Sequence, residues 1–181
     1  MADPKPKAQP HVARIMKHSD AHILEVSKSQ ANQWIKAMEL CRRRILDTNS
    51  DSVFADRLFR LEVEIHFFLV ALLRFYRALA LADTRLPNNP HRKERVRKFH
   101  EYIGIKRTMR NVGEHFDDYL AGRGHNPMID TRGLQVWSME VNQDNVRFTW
   151  LDETFDLKRT MGESERLWQM FLEDYRKVSV T

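Results

Sequence analysis

The sequence predicts a mostly α fold: an antiparallel helical bundle of four long helices with one β-hairpin before the last helix. Three observations support this prediction. Apolar residues recur every three or four positions in four segments of about 20–30 residues. Between about residues 134 and 151 the period changes to two, as expected for a half-buried hairpin. The connections between the helical segments are short and polar, which favours antiparallel neighbours.

The first two helices are predicted at about residues 21–47 and 53–83. Ser19 or Asp20 can cap the first helix, whose apolar stripe is Leu24, Ala31, Trp34, Ile35, Met38, Cys41 and Ile45. In the second helix, a strict three-four alternation is surrounded by further apolar residues, so we expect this helix to be the most buried. Its alternating positions are Leu58, Leu61, Ile65, Phe68, Leu72, Phe75 and Leu79.

The third helix is predicted at about residues 91–121, between the break at Pro87–Pro90 and Gly122. A basic, turn-rich loop follows at Gly122–Gly133. The hairpin comes next, and the last helix is predicted at about residues 156–178. The apolar stripe of that helix is Leu157, Met161, Ser164, Trp168, Phe171, Tyr175 and Val178.

Length and composition limit the architecture and the location. The chain has 181 residues, which suits a single domain at 20–181 behind a disordered, proline-containing leader at 1–19. Cys41 is the only cysteine, so no intramolecular disulfide is possible and a reducing, cytoplasmic location is expected. The most apolar segment has its longest charge-free run at Phe67–Leu73, too short to cross a bilayer. The net charge of +5 mildly favours a polyanionic partner.

The segment Arg110–His115 carries the clearest chemical pattern. It provides a permanent cation, an amide one residue later and an imidazole five residues later. A proton shuttle with a cation for phosphate is the minimum equipment for cutting RNA without a metal. The spacing alone is weak evidence, because four Arg/His pairs of the chain are five or six residues apart and only Arg110 among them is followed by an amide. The four pairs are Arg60/His66, Arg85/His91, Arg95/His100 and Arg110/His115.

Helical periodicity places this motif away from the main apolar stripe of the third helix. The simplest interpretation is a solvated helix face, on which Arg110 and Glu114 form an ordinary surface ion pair. Two features favour a two-fold contact with a second copy instead. A glycine interrupts the helix on this face, and the face mixes both charge signs with histidine and amide groups. The candidate dimer-interface residues are His100, Gly104, Arg107, Asn111, Glu114 and Asp118.

The Arg110–His115 stretch resembles the R-x4-6-H signature of the HEPN superfamily, in which Asn, Asp or His usually follows the arginine. The resemblance implies a dimeric helical bundle and a metal-independent endoribonuclease that leaves 2′,3′-cyclic phosphate ends. It implies that His115 shuttles a proton, that Arg110 stabilises charge on phosphate, and that Asn111 orients the histidine or a phosphate oxygen. It further suggests a toxin, or a defence or stress effector, with an antitoxin or other protein partner.

Four basic residues on and after the motif helix are candidate RNA contacts, although each also fits a solvated side chain. They are Arg107, Arg123, His125 and Arg132. The hairpin residues Trp137, Phe148 and Trp150 could stack on bases, but packing of the hairpin on the helices explains them more simply.

Two alternatives to the nuclease remain open. The first is a non-catalytic HEPN-like module that binds nucleotide, RNA or a protein through the same face. The second is a metal-binding helical bundle. Its candidate ligands are either the mixed set Glu62, Glu64, His66, Glu114 and His115 or the three histidines His22, His66 and His115. No Glu-x-x-His pair of the di-iron type occurs, so the sequence predicts neither a metal site nor a cofactor.

Overall fold

The computed structural model describes residues 19–47, 54–115, 118, 121, 123–124, 137–142, 144–151 and 153–178, without the side chains of 54, 55 and 104–107. The protein is mostly helical and carries a small three-stranded antiparallel sheet. The four long helices of this part of the chain are α1 (Asp20–Asp47), α2 (Phe54–Asp83), α3 (Pro90–Glu114) and α4 (Leu157–Val178). The predicted leader, apart from Ser19, lies outside the described residues.

Packing follows the predicted apolar stripes. α1 lies along α2, α2 contacts α3, and α4 contacts both α1 and α3. Every alternating position of α2 from Leu61 to Leu79 is buried, while Leu58 is half-buried. The predicted stripe of α4 is buried from Leu157 to Tyr175. These positions confirm that helical periodicity located the core.

The sheet contains the predicted hairpin and one strand more. β1 (Trp137–Val141) pairs antiparallel with β2 (Val146–Trp150), with Met139 opposite Phe148. β3 (Glu153–Asp156) then pairs antiparallel with β2. The predicted sheet ended at about residue 151, because the Leu151–Asp152 connection has no glycine or asparagine turn signal. Leu151 nonetheless adopts a left-handed φ of 53°.

The sheet packs on the helices through its buried face. Val146, Phe148 and Phe155 are buried, and the rings of Phe68 on α2 and Phe155 on β3 are 5.3 Å apart. An aromatic pair at this separation adds about 0.5–1.5 kcal/mol beyond area burial. The helices therefore supply the cover that an isolated hairpin lacks in water.

The start of α3 is fixed by a cap and a buried ion cluster. The Asn89 side chain accepts hydrogen bonds from the backbone N–H groups of His91 and Arg92, and Pro90 occupies the first turn. Arg92 is only 1% exposed and donates to Asp83 on α2 at 2.6 Å and to Asp174 on α4 at 2.5 Å. This cluster ties three helices together at one end of the fold.

We expect the Asp174 carboxylate to make stability depend on acid. Burial raises the pKa of Asp174, but hydrogen bonds from Arg92, Lys177 and Asn89 outweigh burial and leave the pKa below its usual value. A lowered folded-state pKa stabilises the protein above the unfolded pKa of about 3.9, and that stabilisation is lost as the pH falls through the folded value. Urea titrations from about pH 5 to about pH 2 should show a falling free energy of unfolding. The same slope in Asp174→Asn would contradict this assignment.

α2 is also long and apolar enough to cross a membrane by length and composition, over Asp56–Asp83. In the most apolar 18-residue stretch of this helix, 56% is buried inside the fold. A buried core helix passes the same test, and α2 is the central core helix here, so its apolar character is explained by packing.

Candidate functional site

The Arg110–His115 motif lies at the C-terminal end of α3. Met109 and Val112 are buried, whereas Gly113, Glu114 and His115 are exposed. The prediction that the motif faces away from the apolar stripe is therefore confirmed for these positions. The His115 side chain is 49% exposed, so solvent reaches the imidazole.

The helix ends earlier than the sequence analysis predicted. α3 stops at Glu114 rather than continuing to Ala121, and His115 is its C-cap with φ −124° and ψ 33°. The backbone N–H of His115 still bonds to the carbonyl oxygens of Asn111 and Val112, at 3.2 and 3.3 Å. Gly113 weakens this last turn by about 1 kcal/mol relative to alanine. The imidazole is consequently carried by a helix terminus and not by the interior of a long helix.

The guanidinium of Arg110 is held by its own helix. Its Nη2 lies 2.7 Å from Glu114 Oε2, and its Nη1 donates to Asn111 Oδ1 at 2.7 Å. Its Nε is buried without a hydrogen-bond partner among the described residues. The Arg110 and Glu114 side chains are 21% and 30% exposed. A phosphate that approaches Arg110 must therefore compete with a neighbouring carboxylate.

In the part of the chain that the structure describes, the Asn111 and His115 side chains form no hydrogen bond with each other. The Asn111 side-chain oxygen accepts from Arg110, whereas His115 Nδ1 lies 3.7 Å from Asp118 Oδ2. Asp118 also lies 3.5 Å from Arg123 Nη2. At 3.7 Å this carboxylate is beyond hydrogen-bond distance of Nδ1, and a small side-chain shift would let it bond to Nδ1 and turn Nε2 towards a substrate, the part that the sequence analysis gave to Asn111.

Only some of the other predicted site residues lie close to the motif in the structure. His100 stacks on Tyr76 with ring centroids 5.2 Å apart, on a stretch of α3 nearer its start than the motif. Arg123 is exposed and bonds through its backbone N–H to the Asp118 carbonyl. Gly104 and Arg107 lie in α3, but their surroundings are outside the described residues. His125 and Arg132 are outside them altogether.

The candidate metal ligands do not converge. Within the part of the chain that the structure describes, no three or more His, Cys, Asp or Glu side chains are grouped closely enough to hold a metal ion. His22, His66 and His115 all belong to that part. Cys41 is buried, and its burial, together with the nearby Glu64 carboxylate, raises the pKa of its thiol to about 11. This thiol is consequently a poor nucleophile and a poor metal ligand at neutral pH.

The chain matches no protein-family profile, no curated protein and no solved structure.

An apolar cavity of about 620 Å³, which was not predicted from the sequence, lies beside the motif. It lies between α2, the end of α3 and the sheet, and Gly113 forms part of its wall. Phe59 and Phe67 on α2 also line it and are 68% and 57% exposed. Both phenylalanines lie outside the alternating buried positions of α2. The sequence therefore did contain a signal for a second apolar face on this helix.

Proposed function

We propose that this protein is a HEPN-type, metal-independent endoribonuclease that acts as a homodimer. The observation that carries the proposal is the exposed His115 imidazole at the end of α3, with Asp118 beside its Nδ1 and a guanidinium on the preceding turn. This arrangement supplies a proton shuttle, a group that orients it and a cation, which are the parts that RNA cleavage requires. The HEPN resemblance of Arg110–His115 adds the four-helix bundle and the two-fold pairing to the proposal.

The proposed reaction uses the ribose itself as nucleophile. His115 Nε2 accepts the proton of the 2′-hydroxyl, whose oxygen then forms a bond to phosphorus. The bond from phosphorus to the 5′-oxygen breaks, and the leaving oxygen takes a proton from the second copy of His115 in the dimer. Arg110 stabilises the charge on the phosphate oxygens, and Asn111 holds the guanidinium in place. Asp118 is a positioning residue in this scheme, because it contacts the imidazole and not the RNA.

The test is an RNA cleavage assay in the presence of EDTA. We expect cleavage products with 2′,3′-cyclic phosphate ends, and no cleavage of a matched strand with 2′-deoxyribose at the cleaved position. Products with 3′-hydroxyl ends, or equal cutting of DNA, would reject the proposed chemistry. A toxin, defence or stress role belongs to the same proposal and depends on cleavage, whereas the proposed cytoplasmic location rests on the single cysteine of the chain.

A second candidate function is a non-catalytic module that binds RNA or nucleotide through the same face. It is favoured by the 2.7 Å pair between Arg110 and Glu114, which neutralises the cation that a nuclease would use. RNA binding without cleavage, unaffected by His115→Ala, would support this function over the nuclease.

Removing the Glu114 charge should strengthen RNA binding in both cases. Glu114→Gln frees the Arg110 guanidinium and removes an anion from the site, and we expect about two- to five-fold tighter binding at low salt, the scale of one exposed charge pair. Fluorescence anisotropy with labelled RNA measures the affinity. Glu101→Gln, an exposed position paired with Arg97 on an earlier turn of α3, is the matched control. Equal affinities of the Glu114→Gln and wild-type proteins would place RNA elsewhere.

A further inference from the structure

The apolar cavity beside the motif is large enough for a nucleoside. Its volume of about 620 Å³ lies within the range of small-ligand sites. Four of its lining residues carry ring faces that are at least partly accessible, namely Phe59, Phe67, Trp137 and Trp150. Flat aromatic walls of this kind fit a flat heteroaromatic ligand.

The exposure of two phenylalanine rings on α2 needs an explanation, because two other phenylalanines of this helix are buried. Phe59 and Phe67 leave most of their surface in water, whereas Phe68 and Phe75 are fully buried. Phe59 and Phe67 are eight residues apart and so lie about 80° apart around the helix, both along the cavity. A stacked base would remove their faces from water, and such stacking typically strengthens single-strand binding substantially at each base.

Among the described residues only a few polar side chains line the cavity, and their chemistry selects the ligand. Glu62 and His66 lie on the same helix as the two phenylalanines. A carboxylate accepts hydrogen bonds and can take two parallel N–H donors at once. Among the RNA bases, guanine presents two adjacent N–H donors, on N1 and on the exocyclic amine. The half-buried His66 ring can donate or accept beside them.

Gly113 connects the cavity with the motif helix. A Cβ at this position would lie 3.2 Å from His66 Nδ1 and 3.9 Å from the Trp150 ring, closer than an ordinary contact in the first case. The missing side chain therefore lets α3 approach α2 and the sheet. Arg110 precedes Gly113 by three residues and lies about 60° around the helix from it. A base in the cavity consequently leaves its ribose and phosphate beside the turn that carries Arg110.

We propose that this cavity binds one unstacked RNA base, with guanine preferred through the Glu62 carboxylate. The proposal rests on the RNA-directed function above and specifies which nucleotide the site holds. It places the base between the Phe59 and Phe67 faces of α2 and the Trp150 edge of the sheet. The cleaved or bound phosphate is then the one next to a guanosine.

The test is titration of the full-length protein with guanosine, adenosine, cytidine and uridine. Two of the four tryptophans line the cavity, so intrinsic fluorescence reports occupancy directly. We expect guanosine to bind most tightly. Phe67→Ala should weaken guanosine binding about 5- to 100-fold, and Glu62→Gln should remove the preference for guanosine over adenosine. Both side chains are exposed, so these variants keep the fold.

Leu81→Ala is the matched control, because Leu81 is a similarly exposed apolar residue on α2 that does not line the cavity. Failure of all four nucleosides to bind, or an equal loss of affinity in Leu81→Ala, overturns the cavity proposal. Guanosine binding without RNA cleavage supports the cavity and rejects the nuclease. RNA cleavage that requires His115 but is unchanged in both Phe67→Ala and Glu62→Gln supports the nuclease and rejects the cavity.

Discussion

Replacing Arg92 with alanine is expected to lower the free energy of unfolding by about 3–5 kcal/mol. The side chain is 1% exposed and its guanidinium bonds to Asp83, to Asp174 and to the Pro87 carbonyl. Removal of the cation leaves two carboxylates without their shared partner, and the Asp174 and Asp83 side chains are only 9% and 16% exposed. Urea denaturation followed by circular dichroism measures the loss.

Two further sets of variants show whether Arg92→Ala lowers the free energy of unfolding by leaving buried charges unpaired or only by removing a contact. Arg97→Ala removes an arginine with two carboxylate partners on the exposed face of the same helix, and we expect an unchanged denaturation midpoint. Combining Arg92→Met with Asp83→Asn and Asp174→Asn should recover much of the stability, because no buried charge is then left without a partner. A small effect of Arg92→Ala alone would mean that water or other groups solvate the two carboxylates.

Replacing His115 with alanine is expected to lower the rate of RNA cleavage by about 10²- to 10⁴-fold. In the proposed reaction the imidazole moves the proton of the 2′-hydroxyl, and no other described histidine belongs to the Arg110–His115 turn. The side chain is about half exposed at a helix terminus, so its removal leaves the core intact. Single-turnover cleavage of labelled RNA, with saturating protein, isolates this chemical step from RNA binding.

His91→Ala is the control for His115→Ala. Arg85 and His91 form another of the four Arg/His pairs of the chain, but no amide residue follows Arg85. His91 lies at the other end of α3 from His115. We expect normal cleavage from this variant. Cleavage that survives His115→Ala would remove His115 from the mechanism and leave the binding module as the better function.

The Asp118→Asn variant distinguishes a role of Asp118 in positioning the imidazole from a purely structural role. If Asp118 positions the imidazole, Asp118→Asn should lower the rate constant for cleavage at saturation and alter its pH profile while RNA affinity stays constant. If Asp118 contributes only to local folding, RNA affinity and cleavage should fall together.

Local periodicity identified most of the helical core correctly, for reasons visible in individual residues. The three-four spacing from Leu61 to Leu79 allows one continuous buried face in a helix and none in a strand, and the structure buries these positions. The alternation through Val146 and Phe148 likewise fits only a half-buried strand. Position on a helix face also indicated that Arg110 and Glu114 could pair, because they are four residues apart.

Local periodicity did not predict the features that depend on long-range contacts. The strand at Glu153–Asp156 was missed because its pairing with β2 overrides a connection without turn residues. The early end of α3 and the partnership of His115 with Asp118 depend on how the chain leaves the helix. The cavity exists only because Gly113 on α3, His66 on α2 and Trp150 on β2 meet, across 84 residues of sequence at the widest.

The sequence by itself determined where the four long helices and the hairpin lie, apart from the end of α3, and which side of each helix is apolar, because these depend on spacing within one element. It also determined the chemical groups available at Arg110–His115. The tertiary structure alone decided which groups meet the motif from beyond its helix: Asp118 faces His115, and an aromatic cavity adjoins Gly113. These contacts join residues from different elements or beyond a helix end, where periodicity carries no information and packing sets the distances.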